Sequence, residues 1–131
     1  EVDIVKLAKA LGVKHVKTVN PYDLAAAERV IKKEVQRPEP SVIISRAPCV
    51  LSRRERVVSG KPLAIDSELC AGCRSCLRLG CPAMAWVKEE GTNAQGKKRK
   101  GRATIDSFLC NGCTLCAQVC KFGAIKGNDG K

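Results

Sequence analysis

The chain is 131 residues long, with 24 Lys and Arg against 13 Asp and Glu, nine cysteines and four aromatic residues. That length accommodates one ordinary domain or two very small ones, and so few aromatics cannot build a generous apolar core. No apolar run approaches the roughly 18 residues that cross a bilayer, and no basic stretch leads into an apolar one, so no membrane span or secretory signal is visible. The start, Glu1-Val2-Asp3-Ile4, reads as a cut piece or a processed form.

Residues 1–51 carry one cysteine and alternate between helix and strand signals. Ile4, Leu7, Ala8 and Leu11 fall on one helical face, and Gly12 ends that stretch. Lys14 to Val19 alternates as a strand does. Asn20-Pro21-Tyr22-Asp23 then predicts a helix start, with Asn20 as N-cap, Pro21 at the first position and Asp23 at the third. Leu24, Ala27, Ile31 and Val35 are the expected buried stripe, which ends before Pro38 and Pro40. Ser41-Val42-Ile43-Ile44-Ser45 is a short apolar strand. The order α-β-α-β reads as the tail of a parallel α/β domain. Two strands cannot make an independent sheet with both faces covered, so the unit is expected to end a larger domain or lean on a partner. His15, the only histidine, falls on a strand face and is given no functional role. Cys49, after Arg46-Ala47-Pro48, is expected to be a small buried hydrophobe.

Residues 52–62 form a basic linker with Arg53, Arg54, Arg56 and Lys61. Beyond it lie the other eight cysteines, in two tight knots. They read Cys70-x2-Cys73-x2-Cys76-x4-Cys81-Pro82 and Cys110-x2-Cys113-x2-Cys116-x3-Cys120. Cysteines two residues apart are poor disulfide partners but natural co-ligands of one metal centre. Zinc is the rival reading, since paired Cys-x-x-Cys is also its signature. Three cysteines at consecutive x2 spacing wrap a loop around an iron–sulfur cubane, and the fourth ligand comes from the other knot. Two [4Fe–4S] clusters are therefore expected. Cys70, Cys73, Cys76 and Cys120 would hold one, and Cys110, Cys113, Cys116 and Cys81 the other. Eight thiolates on two oxidised cubanes carry about −4, which brings the formal charge of +11 to about +7.

An internal repeat accompanies the knots. Leu63 to Cys76 aligns with Ala103 to Cys116 at an offset of 40, and eight of the fourteen positions are identical: Ile65, Asp66, Ser67, Leu69, Cys70, Gly72, Cys73 and Cys76 with their counterparts. After the third cysteine the offset falls to 39, which sets Ala85-Trp86 against Ala124-Ile125. Each half is too small to bury its own apolar face, so the two must pack together. Gly72 and Gly112 are expected to take backbone angles closed to other residues, keeping loop amides near the cluster sulfurs. Ile65, Leu69, Leu79, Trp86, Ile105, Leu109, Val119 and Ile125 are the expected thin apolar jacket.

Between the halves, residues 88–102 form a polar loop, and five of its last six residues are basic. Nucleic-acid binding is one reading of such a run, but no aromatic is interleaved for base stacking. Docking an acidic electron carrier is preferred, with a solvated hairpin tip as the bland alternative.

The stretch Pro40 to Leu51, the basic linker and the two cysteine knots together resemble the C-terminal end of the alpha subunit of indolepyruvate ferredoxin oxidoreductases. The resemblance implies an α+β architecture: an α-β-α-β tail of a thiamine diphosphate-binding α/β domain over 1–51, a linker over 52–62 and a dicluster ferredoxin domain over 63–127. It implies thiamine-dependent oxidative decarboxylation of an aryl 2-oxoacid with coenzyme A, with electrons leaving singly through the clusters. The implied partners are a soluble acidic ferredoxin and a second, beta subunit, in a cytoplasmic and oxygen-poor setting, with no nucleic acid and no membrane. The Gly-Asp-Gly…Asn segment that holds magnesium and thiamine diphosphate is absent from this sequence, so both are expected only in the full subunit and no catalytic residue is assigned here. The family usually places Pro after the last cysteine, where this chain has Lys121. A free-standing dicluster carrier or adaptor subunit and a zinc-stabilised nucleic-acid-binding module are the alternatives.

Overall fold

A computed structural model divides the chain into two compact units, residues 1–49 and 50–131. It describes residues 2–49 and 60–127, so the expected linker lies outside the described residues except at 60–62.

In the first unit, α1 (Ile4–Ala10) is capped by Asp3, whose side chain accepts from Lys6 N at 3.1 Å, and Gly12 at φ +90° ends it. Then come β1 (His15–Val19), α2 (Leu24–Val35) and β2 (Ser41–Ser45). The strands pair in parallel, His15 opposite Ser41 and Val19 opposite Ser45, with α2 as the crossover. This is the expected α-β-α-β order. The helix start differs from expectation. Asn20 builds a turn, its Oδ1 accepting from Tyr22 N and its carbonyl from Asp23 N, and Asp23 is the N-cap, accepting from Ala26 N at 2.9 Å. The expected stripe is also not buried: Ile31 and Val35 are 47% and 76% exposed, and Ile4 and Leu7 of α1 and its C-cap Leu11 are exposed too. A sheet of two strands is too narrow to cover a helix face, so apolar patterning here exceeds what the unit buries. Ala8, Val19 and the Arg37-paired Glu34 are its buried residues. Cys49, expected to be buried, is exposed.

The second unit interlocks the two halves of the repeat. β3 (Leu63–Ile65) pairs antiparallel with β8 (Ile125–Gly127), and β4 (Met84–Val87) pairs antiparallel with β7 (Arg102–Ile105). Each half thus completes its ribbon with a strand of the other, as two units too small to bury their own faces must. Between them, β5 (Gly91–Thr92) and β6 (Lys98–Arg99) make a small hairpin. The third cysteine of each knot opens or enters a short helical turn: a 3-10 turn at Cys76–Leu79 and α3 at Leu115–Val119. The core comprises Leu63, Cys76, Ala103, Cys116 and Ile125, flanked by Ile65, Met84, Ile105 and Val119.

Two expectations are corrected here. Leu79 and Leu109 are 39% and 59% exposed and do not join the jacket. The repeat also aligns differently after the knots. Asp66 N donates to Ala124 O, and Asp106 N donates to Ala83 O. Ala83-Met84, not Ala85-Trp86, is therefore the counterpart of Ala124-Ile125. The second half loses a residue before its last cysteine and gains two after it.

Candidate metal centre

Each cysteine loop is set up by an aspartate of the repeat. Asp66 Oδ1 accepts from Glu68 N and Leu69 N, while its carbonyl accepts from Cys70 N. Asp106 repeats this with Phe108 N and Cys110 N. These are Asx turns, which hold a backbone corner locally. The next residues enter the left-handed region twice in each loop: Gly72 (φ +66°) and Arg74 (φ +61°), then Gly112 (φ +72°) and Thr114 (φ +62°). Left-handed backbone at a non-glycine residue is uncommon, and its repetition at matching positions marks a constrained loop.

The outcome is two cavities, each ringed by four cysteines. Cys70, Cys73, Cys76 and Cys120 line one, walled by Ile65, Trp86, Phe122 and Ile125. Cys81, Cys110, Cys113 and Cys116 line another, walled by Leu63, Met84 and Ile105. Each knot thus contributes three cysteines to its own cavity and its last cysteine to the other.

Burial works against ionisation of the two innermost thiols, Cys116 and Cys76. Burial pushes Cys116 up to about 11, with the charges of Cys113 and Cys110 adding to it. Cys76 is raised likewise, chiefly by burial and then by Cys120, Cys70 and Cys73. Burial also raises Cys73, but hydrogen bonding to Ser75, its own amide and the Lys97 charge outweigh it and hold the thiol low. Gathering four thiols around an apolar cavity is unfavourable as thiolates unless a cationic core compensates them. A backbone donor is already aimed at one sulfur, with Leu63 N 3.4 Å from Cys110 Sγ. Among the described residues no three His, Cys, Asp or Glu side chains stand close enough to share a single metal ion. Four cysteines around one apolar cavity are the donor set that a [4Fe–4S] core takes. The cysteine rings therefore fit iron–sulfur cubanes.

The basic run is not the free patch its composition suggests. Arg99 has only 7% of its side chain exposed, and Nη1 donates to Ser67 O and to Cys70 O (2.9 Å). Arg102 Nε lies 2.6 Å from Glu89 Oε2. Lys97, Lys98 and Lys100 are left as its exposed members. Sequence reading missed Arg99, the Asp66 and Asp106 turns, and the equivalence of Ala83 and Ala124 in the repeat. Only the aspartates had a visible signal, as identities within the repeat. His15 sits at the start of β1, where Nε2 meets Glu39 Oε2 at 2.7 Å, a structural pair in the first unit.

Residues 69–124 match the model of the 4Fe-4S dicluster domain, and that is the class of this second unit. Nearly the whole chain is homologous to the C-terminal part of indolepyruvate oxidoreductase subunit IorA. It is 40% identical over 126 residues to that subunit of Methanothermobacter marburgensis, covering 95% of this chain and 18% of the relative. The corresponding subunit of Pyrococcus horikoshii is 35% identical over 128 residues, again 94% of this chain and 18% of the relative. The chain thus spans under a fifth of the length of these relatives. Dihydromethanopterin reductase (acceptor) of Methanosarcina mazei is 33% identical over 72 residues, 54% of this chain and 26% of that protein. Among solved structures, a chain of the formate dehydrogenase–heterodisulfide reductase–formylmethanofuran dehydrogenase complex of Methanospirillum hungatei is 33% identical, covers 49% of this chain and 95% of its own length, and has a TM-score of 0.37. No helix among the described residues is long and apolar enough to cross a membrane.

Proposed function

We propose that this chain is the electron outlet of an indolepyruvate-type 2-oxoacid oxidoreductase. Cys70, Cys73, Cys76 and Cys120 hold one [4Fe–4S] cluster, and Cys81, Cys110, Cys113 and Cys116 hold the second. The observation that carries this reading is the pair of cavities, each ringed by four cysteines. Each cluster takes one electron and no proton, so the pair accepts the two electrons that oxidation of a 2-oxoacid to an acyl group releases. In the full subunit, thiamine diphosphate with magnesium supplies cleavage of the carboxylate carbon of an aryl 2-oxoacid, and coenzyme A takes the acyl group. Residues 1–51 are then the end of that thiamine-binding domain. The parallel β1–β2 pair and the exposed apolar faces of α1 and α2 support this, since both ask for neighbouring sheet and helix. The partners are the beta subunit and a soluble acidic ferredoxin, drawn to the exposed lysines 97, 98 and 100, in the cytoplasm.

The test is metal and sulfide analysis of anaerobically purified protein, with visible and EPR spectra. About eight iron and eight sulfide per chain are expected, with broad absorption near 400 nm and EPR signals on dithionite reduction. Stoichiometric zinc with a colourless protein would sink the reading.

A further inference from the structure

The insertion that separates the two halves, residues 88–102, folds over the first cysteine loop. Ala94 N donates to Glu68 O at 2.7 Å, and Arg99 Nη1 donates to Ser67 O and Cys70 O. Gly72 and Gly101 meet so closely that a Cβ on Gly72 would stand 2.6 Å from Gly101 O. Asn93 fixes the tip, its Oδ1 accepting from Lys97 N at 2.7 Å. The segment is a cover anchored at three points, not a solvated tip.

It is also a source of charge. The buried Arg99 guanidinium is only loosely answered by Glu89, at 3.9 Å, because Glu89 is committed to Arg102 at 2.6 Å. Lys97 lies over the Phe122 ring at 5.6 Å, and Phe122 walls the first cavity. Arg74 lines that cavity too and lies 4.3 Å from the centroid of Trp86. Arg74 is thus the charged side chain lining the first cavity, with Lys97 against its Phe122 wall and Arg99 bound to the carbonyl of its ligand Cys70. The second is lined by no charged side chain among the described residues.

We infer that the 88–102 insertion raises the reduction potential of the centre in the Cys70/Cys73/Cys76/Cys120 cavity above that of the other, with Arg99 as the principal positioning residue. This rests on the cluster assignment proposed above. Reduction adds one negative charge and no proton, and a cation held in a poorly solvated site stabilises that added charge more than water-screened lysines do. Water exclusion by the cover acts in the opposite sense, so charge must be changed without removing the cover. Arg99→Gln does this. The charge-keeping Arg99→Lys loses the two-carbonyl fork but retains the cation.

The experiment is an EPR-monitored dithionite titration of the anaerobically purified full chain, with iron and sulfide counted on every variant. The wild-type protein gives two one-electron waves. In Arg99→Gln the higher wave moves down towards the lower one, the lower stays, and Arg99→Lys restores most of the gap. Unmoved waves at full iron content, or movement of the lower wave instead, overturn the inference. If Arg99→Gln loses iron, Lys97→Gln decides: a smaller downward shift of the same wave supports the inference, and no shift overturns it. A wild-type protein without two clusters would overturn the cluster assignment instead, so the two failures are told apart.

Discussion

Cys81 lines the same cavity as Cys116, although it closes the cysteine knot of the other half. The exchange follows from β4 pairing with β7, which brings the end of the first knot to the second loop. Cys81→Ala should therefore remove the cluster of the second loop and leave that of the first. Iron content should fall by about half, and one of two reductive EPR waves should vanish. Retention of the second-loop cluster with loss of the first would show that ligation is not crossed.

The second unit has little else to hold it. Among the described residues no large side chain is fully buried, and its buried positions are mainly Ala71, Cys76, Ala83, Ala103, Cys116 and Ala124. Alanines at about 0.8 kcal/mol per buried methyl-sized group offset little of the chain entropy lost on folding. Removing iron with chelator and oxidant should unfold residues 63–127, as it does for other small metal-dependent domains. Circular dichroism and amide exchange check this; protection of β3, β4, β7 and β8 amides persisting without metal would contradict it.

What the sequence makes legible is the chemistry carried by short spacings. The grouping of each cysteine triplet with the last cysteine of the other knot is readable because the x2 spacing and the 40-residue repeat are local signals. The parallel β1–β2 pair is readable for the same reason. Arg99 is not, because its burial depends on a hairpin folding back some thirty residues onto Ser67 and Cys70, while its neighbours Lys98 and Lys100 remain exposed. Asn20 and Asp23 are both good caps, and choosing between them needs the turn that Asn20 makes with Tyr22. Leu109 looks like core by its match to Leu69, yet it is exposed beside Phe108, which is 98% exposed.

Gly101 packs against the Trp86 ring, and a Cβ there would stand 2.6 Å from the ring and closer still to Val87 O. Gly101→Ala must displace the indole or part β4 from β7. Overpacking of this kind costs about 1–3 kcal/mol. Thermal unfolding of the holo protein should show that loss, together with faster bleaching of the cluster whose cavity Trp86 walls. Gly96→Ala is the control for hairpin backbone, since its Cβ would meet nothing within 4 Å although φ is +75°. Its cost should be limited to backbone strain, about 1 kcal/mol.

The Glu39 carboxyl is held below its ordinary value of 4.5 by its hydrogen bond from His15 and then by that from Lys14. A carboxylate with a depressed folded-state value contributes stability above the ordinary value and loses it as pH falls through the depressed one. The window is therefore acidic, beginning near 4.5 and extending below it. NMR titration of the Glu39 side-chain carbon should give a midpoint below 4.5, and His15→Ala should move it back up. An unchanged midpoint in His15→Ala would remove the imidazole as the cause.

Lys121 occupies the position after the last cysteine that Pro82 holds in the first knot. Lysine offers two things proline lacks, a positive charge and a backbone N–H beside Cys120. Both favour the reduced cluster, but the side chain is exposed and the high dielectric of the surrounding water weakens its charge. The amide sits on the main chain next to a ligand and is not weakened in that way. Lys121→Gln should accordingly leave the potential of the Cys70/Cys73/Cys76/Cys120 cluster nearly unchanged, whereas Lys121→Pro should lower it. Potentiometry of both variants separates the two contributions. Equal drops would assign the effect to charge, and no drop in Lys121→Pro would leave the amide without a role in tuning that centre.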